Sequence, residues 1–264
     1  MKASSLLGLV AGVAFCTTTQ AAATGAWNFD GGNLDAAIGS ALQYRGTTAA
    51  QFGTTTSFGI PNIGGQVASV MQFPATDVTQ GFIMTHGAAA NGGGTYVNQY
   101  TVMYDLYWPG DPGDYRALFQ TSESNANDGD FFVNGDGGIG ISSNYQGNLD
   151  DGAWHRVAAV FDLPTSTLSK YIDGTLVGAQ TLSSGVDGRW SLGTTALLFA
   201  DEDGETDMGY VNSIAFFDTA LSGPEVAAFG GPTAAGIIPE PGTLSLALLA
   251  LIGTGGWCWL RKRA

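Results

Sequence analysis

Cysteine is all but missing from this chain. The two present, Cys16 and Cys258, lie in the terminal segments, so the long stretch between them carries no thiol. That excludes a disulfide framework, a thiolate nucleophile and cysteine-ligated zinc from the body of the protein. Histidine is nearly as scarce: His86 and His155 are the only two, with no spacing that would pair them on a metal. No serine sits in a nucleophile elbow, and the glycine-rich Asn91–Thr95 lacks the Gly-Lys-Ser continuation of a phosphate-binding loop. Basic side chains are few as well. Between Thr24 and Ile238 there are five (Arg45, Arg116, Arg156, Lys170, Arg189) against 22 carboxylates, a net charge of −17. Such a balance argues against nucleic acid and anionic lipid as partners. It favours solubility and divalent cations.

The two ends differ from this body. Met1–Lys2 and the apolar LLGLVAGVAF lead into TTTQAAA, which reads as a secretory signal peptide over residues 1–23. Phe15 stands before Cys16, where a lipoprotein would need a small residue. At the other end Thr243–Leu260 is an uncharged, mostly apolar run of 18 residues. As a helix it would extend about 27 Å, close to the roughly 30 Å of a hydrocarbon core. Arg261, Lys262 and Arg263 follow, and the positive-inside rule places them in the cytoplasm with the body outside. The competing reading, a buried last helix of the fold, leaves those three charges without a purpose.

The body is rich in glycine, with 40 in the whole chain, and poor in charge, so long helices are not expected. Short alternating apolar runs bounded by Gly, Asn, Asp and Ser predict an all-β, two-sheet antiparallel sandwich. Tyr100–Trp108 should be a strand with Tyr100, Val102, Tyr104, Leu106 and Trp108 on one face. Trp154–Asp162, Ala196–Asp201 and Gly209–Asp218 should be others, and LSKYIDGTLVGAQTL a hairpin turning at Asp173–Gly174. Ser222-Gly-Pro-Glu225 is a capping-box signature for a short helix. Residues 24–229 form one predicted domain, 230–238 a flexible spacer, and 239–264 the tail.

The segments DGAWHRVAAVFD, KYIDGTLVG, LFADEDGE and SIAFFDTALSGPEV, in that order, resemble the laminin-G-like, concanavalin A-like jelly-roll superfamily. The resemblance implies two sheets packed face to face, with function in loops at one edge. Pro239, Glu240 and Pro241, the apolar run, and Arg261-Lys262-Arg263 resemble a PEP-CTERM sorting signal. That implies transient residence in the inner membrane of a Gram-negative bacterium and recognition by an exosortase-type enzyme. It also implies a mature form at the cell surface or in a matrix of extracellular polysaccharide.

Candidate chemistry is sparse. In ADEDGETD, Asp201, Asp203, Glu205 and Asp207 recur at every second position, and an extended loop would turn their oxygens one way, as Ca²⁺ requires. The bland reading is a solvated loop whose aspartates cap turns. Asp128, Asp130 and Asp136 lie in a second acidic, glycine-rich stretch, expected to be a hairpin with polar turns. Tyr107, Trp108 and Tyr115 bracket a Pro-Gly-Asp-Pro-Gly-Asp loop and, with Asp111 and Asp114, are the expected sugar-stacking patch; cross-strand packing is the competing use. Trp154 is expected in the core, and His155, facing the other way, is expected to bridge the sheet by hydrogen bonding. Glu202 and Glu205 do not match the carboxylate spacing of retaining sandwich glycosidases. The expected function is therefore an exported, non-enzymatic glycan-binding or adhesion module. The rivals are a purely structural matrix protein and a carbohydrate-active enzyme.

Overall fold

A computed structural model describes residues 22–237, apart from 111–112 and 126–127. The signal peptide, the Pro239–Pro241 motif with its basic tip, and Asp111 lie outside the described residues. Among the described residues, fifteen strands, two short α-helices and one 3-10 turn (Leu163–Thr165) follow one another. The first stretch gives β1 (Gly25–Trp27), β2 (Gln43–Arg45), β3 (Gln51–Thr54), α1 (Thr55–Phe58), β4 (Ser69–Phe73) and β5 (Gly81–Thr85). Then come β6 (Gln99–Tyr107), β7 (Arg116–Gln120), β8 (Asp130–Val133), β9 (Ile139–Ile141) and β10 (Asn144–Gln146). The last are β11 (Trp154–Asp162), β12 (Thr167–Ile172), β13 (Thr175–Thr181), β14 (Thr195–Leu198), β15 (Gly209–Phe217) and α2 (Gly223–Phe229).

The strands make two antiparallel sheets. Sheet 1 has the order β13-β12-β11-β6-β15-β4-β3, with β1 also paired to β15; sheet 2 runs β10-β9-β8-β7-β14-β5-β2. Alternation fixes what lies between them. Tyr100, Val102, Tyr104, Leu106 and Trp108 all enter the inter-sheet core, as their period-2 spacing predicts. Sheet 2 answers with Phe82, Leu118, Phe119, Phe131, Val133, Ile139 and Leu198. The Phe73 and Phe199 rings stack at 3.9 Å, and Tyr100 stacks on Phe161 at 4.6 Å. The β12–β13 hairpin turns as expected, with Asp173 at φ 52° and Gly174 at φ 78°, the paired left-handed conformations of a type I′ turn. At α2 the Glu225 carboxylate accepts from the Ser222 amide at 2.7 Å and from its hydroxyl at 2.6 Å.

Strand β14 is shorter than its apolar run suggests. It ends at Leu198 because Phe199 takes φ 53°, and Asp201 is then turned inward to cap the following loop.

The outer face of sheet 1 is also apolar. Met103, Ala158, Val160, Tyr171, Ala215 and Phe217 are covered by Leu221, Val226, Phe229 and Ile237. In the midst of this face one row of three strands carries Arg156, Asp105 and Ser213, which are register neighbours on β11, β6 and β15. The Arg156 guanidinium grips Asp105 through two hydrogen bonds of 2.7 and 2.8 Å, and Ser213 Oγ donates to the same carboxylate at 3.1 Å. Its remaining donors go to the carbonyls of Phe229, at 2.6 Å, and Gly236, at 3.3 Å. The amide of Ile237 in turn donates to Ser213 Oγ at 3.0 Å.

This corrects the expectation of a flexible spacer. Residues up to Ile237 are strapped to the sheet, and the Ile237 side chain is 2 % exposed. Gly and Ala in the segment suggested mobility, but the Arg156 guanidinium, 80 residues back in sequence, holds the Gly236 carbonyl.

Breaking one member of a buried ion pair strands the other without solvent, at a cost of about 3–5 kcal/mol, whereas replacing both with apolar groups costs less. We therefore expect Asp105→Asn to lower the unfolding free energy in urea by about that amount, and Asp105→Leu combined with Arg156→Met to recover part of it. Equal destabilisation by the single and double variants would show that the pair acts only through its volume.

Candidate functional site

The outer face of sheet 2 carries what its inner face excludes. Along β8, Phe131 and Val133 point into the core, so Asp130 and Phe132 point out. On β7 the fully buried Gln120 lies directly opposite Asp130, and on β10 Tyr145 lies opposite Gly140, which also pairs with Phe132. Tyr115, just before β7, closes the group: its ring centroid is 5.5 Å from that of Tyr145 and 6.1 Å from that of Phe132. Tyr115 and Tyr145 are both half-buried and thus present ring surface.

The acidic loop after β14 folds over this face. The Glu205 carbonyl accepts the Ala117 amide at 2.8 Å, which ties the loop to β7. Gln120 Nε2 donates to Glu202 Oε2 at 2.9 Å and to Asp201 Oδ1 at 3.3 Å. Arg189 Nη2 reaches Asp130 Oδ2 at 3.2 Å. Burial, then the neighbouring Glu202 and Asp128, push the Asp130 carboxyl up to about 7 in spite of Arg189. Partial burial, followed by Asp201, Asp114, Asp203 and Glu202, raises Glu205. Burial and the phenol of Tyr115, with Glu205 and Asp130 behind it, raise Tyr145. The face thus combines a tyrosine pair with carboxylates that repel one another.

The residues singled out from sequence are distributed differently. Trp108 is 4 % exposed and sits between the sheets against Phe73, because it shares the inward parity of Tyr100. Tyr107 has the opposite parity and packs on the outside of sheet 1, with Trp154 at 5.4 Å and Tyr210 at 5.9 Å. These two therefore do not form an exposed platform with Tyr115. Only Tyr115 reaches the outer face of sheet 2, while Asp114 is exposed beside it and accepts the Tyr115 amide at 2.8 Å. Trp154 is likewise not a core residue: it shares the outward parity of Arg156 and donates Nε1 to the Pro61 carbonyl at 2.7 Å.

The four alternate carboxylates of the acidic loop do not converge. Asp201 Oδ2 accepts the amides of Asp203, at 2.8 Å, and Glu205, at 3.0 Å, capping its own loop. Asp207 lies 3.9 Å from Arg116 Nε and accepts the Met208 amide at 2.8 Å. Among the described residues no three His, Cys, Asp or Glu side chains are arranged to hold a metal ion. The donor set as placed does not fit Ca²⁺, which takes six to eight oxygens.

Other marked features are structural. His155 Nδ1 meets Asp173 Oδ2 at 2.9 Å and its Nε2 accepts the Asp150 amide at 3.1 Å, so the ring has the expected hydrogen-bonding role but joins a turn and a loop rather than positions within the sheet. His86 is buried against Phe216 at 4.9 Å and contacts the Gly193 carbonyl at 2.9 Å; burial first lowers its pKa, and that carbonyl partly offsets the fall. The glycine-rich Asn91–Thr95 loop cradles an anion after all, but the anion is the chain's own Asp187. The Asn98 side chain, then the amides of Thr95 and Tyr96, donate to it at 2.8–3.1 Å, holding the carboxyl down to about 2. A Cβ on Gly94 would come within 2.5 Å of that carboxylate.

Sequence reasoning missed Gln120, Phe132 and Tyr145 as members of one site. The outward parity of Asp130 was readable from DFFV, but nothing local could bring β10 beside the segment before β7.

Comparison with known proteins agrees with the two-sheet fold. A family model described as the concanavalin A-like lectin/glucanases superfamily matches residues 84–227. Among solved structures, domain 4 of AbnA, an extracellular GH43 arabinanase from Geobacillus stearothermophilus in complex with arabinotriose, is 15% identical with a TM-score of 0.50. That match covers 80% of this chain and 98% of that one. The binding domains of botulinum neurotoxin serotypes D and G are 14% and 11% identical, with TM-scores of 0.51 and 0.53. Each toxin match covers 78% of this chain and 50% of the other, so the chain spans about half the length of those domains. At such identities the likeness is one of fold. No curated protein matches by sequence. The family match takes in more than half of the chain, from β5 into α2, and the two-sheet architecture agrees with it: the chain belongs to the concanavalin A-like lectin/glucanase superfamily.

Proposed function

We propose that the protein is an exported, non-enzymatic glycan-binding module that uses the outer face of sheet 2. The observation that carries this reading is the Tyr115–Tyr145 pair standing beside Asp130, Gln120 and Glu202 on the outer face of sheet 2. Pyranose rings have apolar C–H faces and a rim of hydroxyls, so they are recognised by aromatic surface bordered by hydrogen-bond acceptors. Support also comes from the arabinanase domain, whose structure holds arabinotriose. The non-enzymatic reading is supported by Asp201, whose carboxylate is spent on the backbone amides of its own loop.

Titration of the protein with neutral oligosaccharides, with and without Ca²⁺, tests the reading. We expect micromolar to millimolar binding that Tyr145→Ala weakens about tenfold or more, since an aromatic contact of this kind is worth roughly 1 kcal/mol beyond its buried area. Binding unchanged by Tyr145→Ala would move the site elsewhere. Absence of binding across a glycan array would favour a purely structural matrix protein.

We also propose that Pro239, Glu240 and Pro241, with the apolar run and Arg261–Arg263, deliver the chain to an exosortase-type enzyme at the inner membrane. The mature C-terminus should then fall near Pro239–Gly242 by mass spectrometry of the native protein. A mature surface form that still ends in Arg263–Ala264 would refute processing.

A further inference from the structure

Resting on that glycan-binding reading, we infer that the outer face of sheet 2 selects cationic glycans, those built from amino sugars with free ammonium groups, over N-acetylated, neutral and uronate-containing ones. Three observations carry this. First, the groups around the tyrosine pair are almost all carboxylates: Asp130 on β8, and Glu202, Glu205 and Asp114 on the loops that border it. The guanidiniums nearby are already engaged. Arg189 is bound to Asp130, and Arg116 is held by Asp151 at 3.3 Å, by the Gly110 carbonyl at 3.1 Å and against the Trp108 ring. Neither is offered to an incoming anion.

Second, acceptors outnumber donors at the centre of the face. Gln120, fully buried, spends its amide nitrogen on Glu202 and Asp201, while its Oε1 has no partner among the described residues. The facing Asp130 has its Oδ1 in the same condition. Buried acceptors left without donors cost free energy, and a ligand that brings N–H groups removes that cost. An ammonium carries three donors and no acceptor.

Third, the carboxylates destabilise one another. Burial is the main cause of the upward displacement of Asp130 and Glu205, but the neighbouring carboxylates add to it in both, and that part is what a nearby cation would relieve. A uronate would add to the repulsion, and an acetylated amine would supply one N–H and no charge.

The test compares three oligosaccharides of equal length in calorimetric titration: an N-acetylglucosamine oligomer, its fully de-N-acetylated counterpart, and a galacturonate oligomer. The pH is kept near neutrality, where Asp130, pushed up to about 7, still carries charge and the free amine is still partly protonated. We expect the de-N-acetylated oligomer to bind at least about tenfold tighter than the acetylated one, and the uronate not to bind. Exposed charge pairs weaken as the Debye length shrinks from about 10 Å at 0.1 M salt to 3 Å at 1 M, so the preference should collapse at high salt. Glu202→Gln should narrow the ratio between free-amine and acetylated affinities, because it removes one carboxylate from the border of the face. Tyr145→Ala should weaken both. Equal affinity for the acetylated and free-amine oligomers overturns the charge inference and leaves glycan binding standing. Tighter binding of the uronate overturns it too, and failure of all three probes to bind removes both readings.

Discussion

The buried pair of Asp105 and Arg156 fixes how the outer face of sheet 1 is covered. It stands at the centre of sheet 1, surrounded by Met103, Ala158, Val160 and Phe217. A bidentate salt bridge there is expensive to desolvate, and it is satisfied only because the guanidinium also takes the carbonyls of Phe229 and Gly236. The helix after β15 and the segment that follows are therefore not decoration. They supply the acceptors that make the ion pair tolerable, and in doing so they cover an apolar face that would otherwise be exposed. The start of the described chain lies on the same sheet, where Thr24 donates to Phe216 and Ala23 packs nearby.

With sheet 1 sealed by both ends of the domain, the other outer face is left to the loops that join the strands of sheet 2. That face is built on a different principle. Its polar residues are not satisfied by a single ion pair but by partial sharing. Gln120 serves two carboxylates, Arg189 serves Asp130, and the acidic loop caps itself through Asp201. Acceptors remain in excess. Structure is completed on sheet 1 and left incomplete on sheet 2, which is where a ligand can contribute most.

Much of the fold was legible because it is local or periodic. Period-2 alternation placed Tyr100 through Trp108, the Asp-Gly pair placed the β12–β13 turn, and the serine–glutamate spacing placed α2. The errors came where a residue's parity had to be combined with partners far away. Trp108 has the inward parity of Tyr100, which removes it from the expected patch with Tyr107 and Tyr115; Trp154, expected in the core, shares a face with Arg156. The expected flexible spacer is docked for a similar reason: its anchor, Arg156, lies far back in sequence. The aromatic site suffered most. Tyr115 was named, but Tyr145 comes to it only through the β8–β9–β10 meander. Acidic runs mislead in another way, since alternation suggested convergence while backbone amides claimed Asp201 and Arg116 drew Asp207 aside.

The division of labour between the two faces is tested most directly by hydrogen–deuterium exchange with and without a bound oligosaccharide. Protection on binding should appear in segments 113–120, 130–133, 144–146 and 201–207, with segment 223–237 unchanged. Protection of 223–237 with no change around Tyr115 and Tyr145 would place recognition on the sealed face and contradict the account.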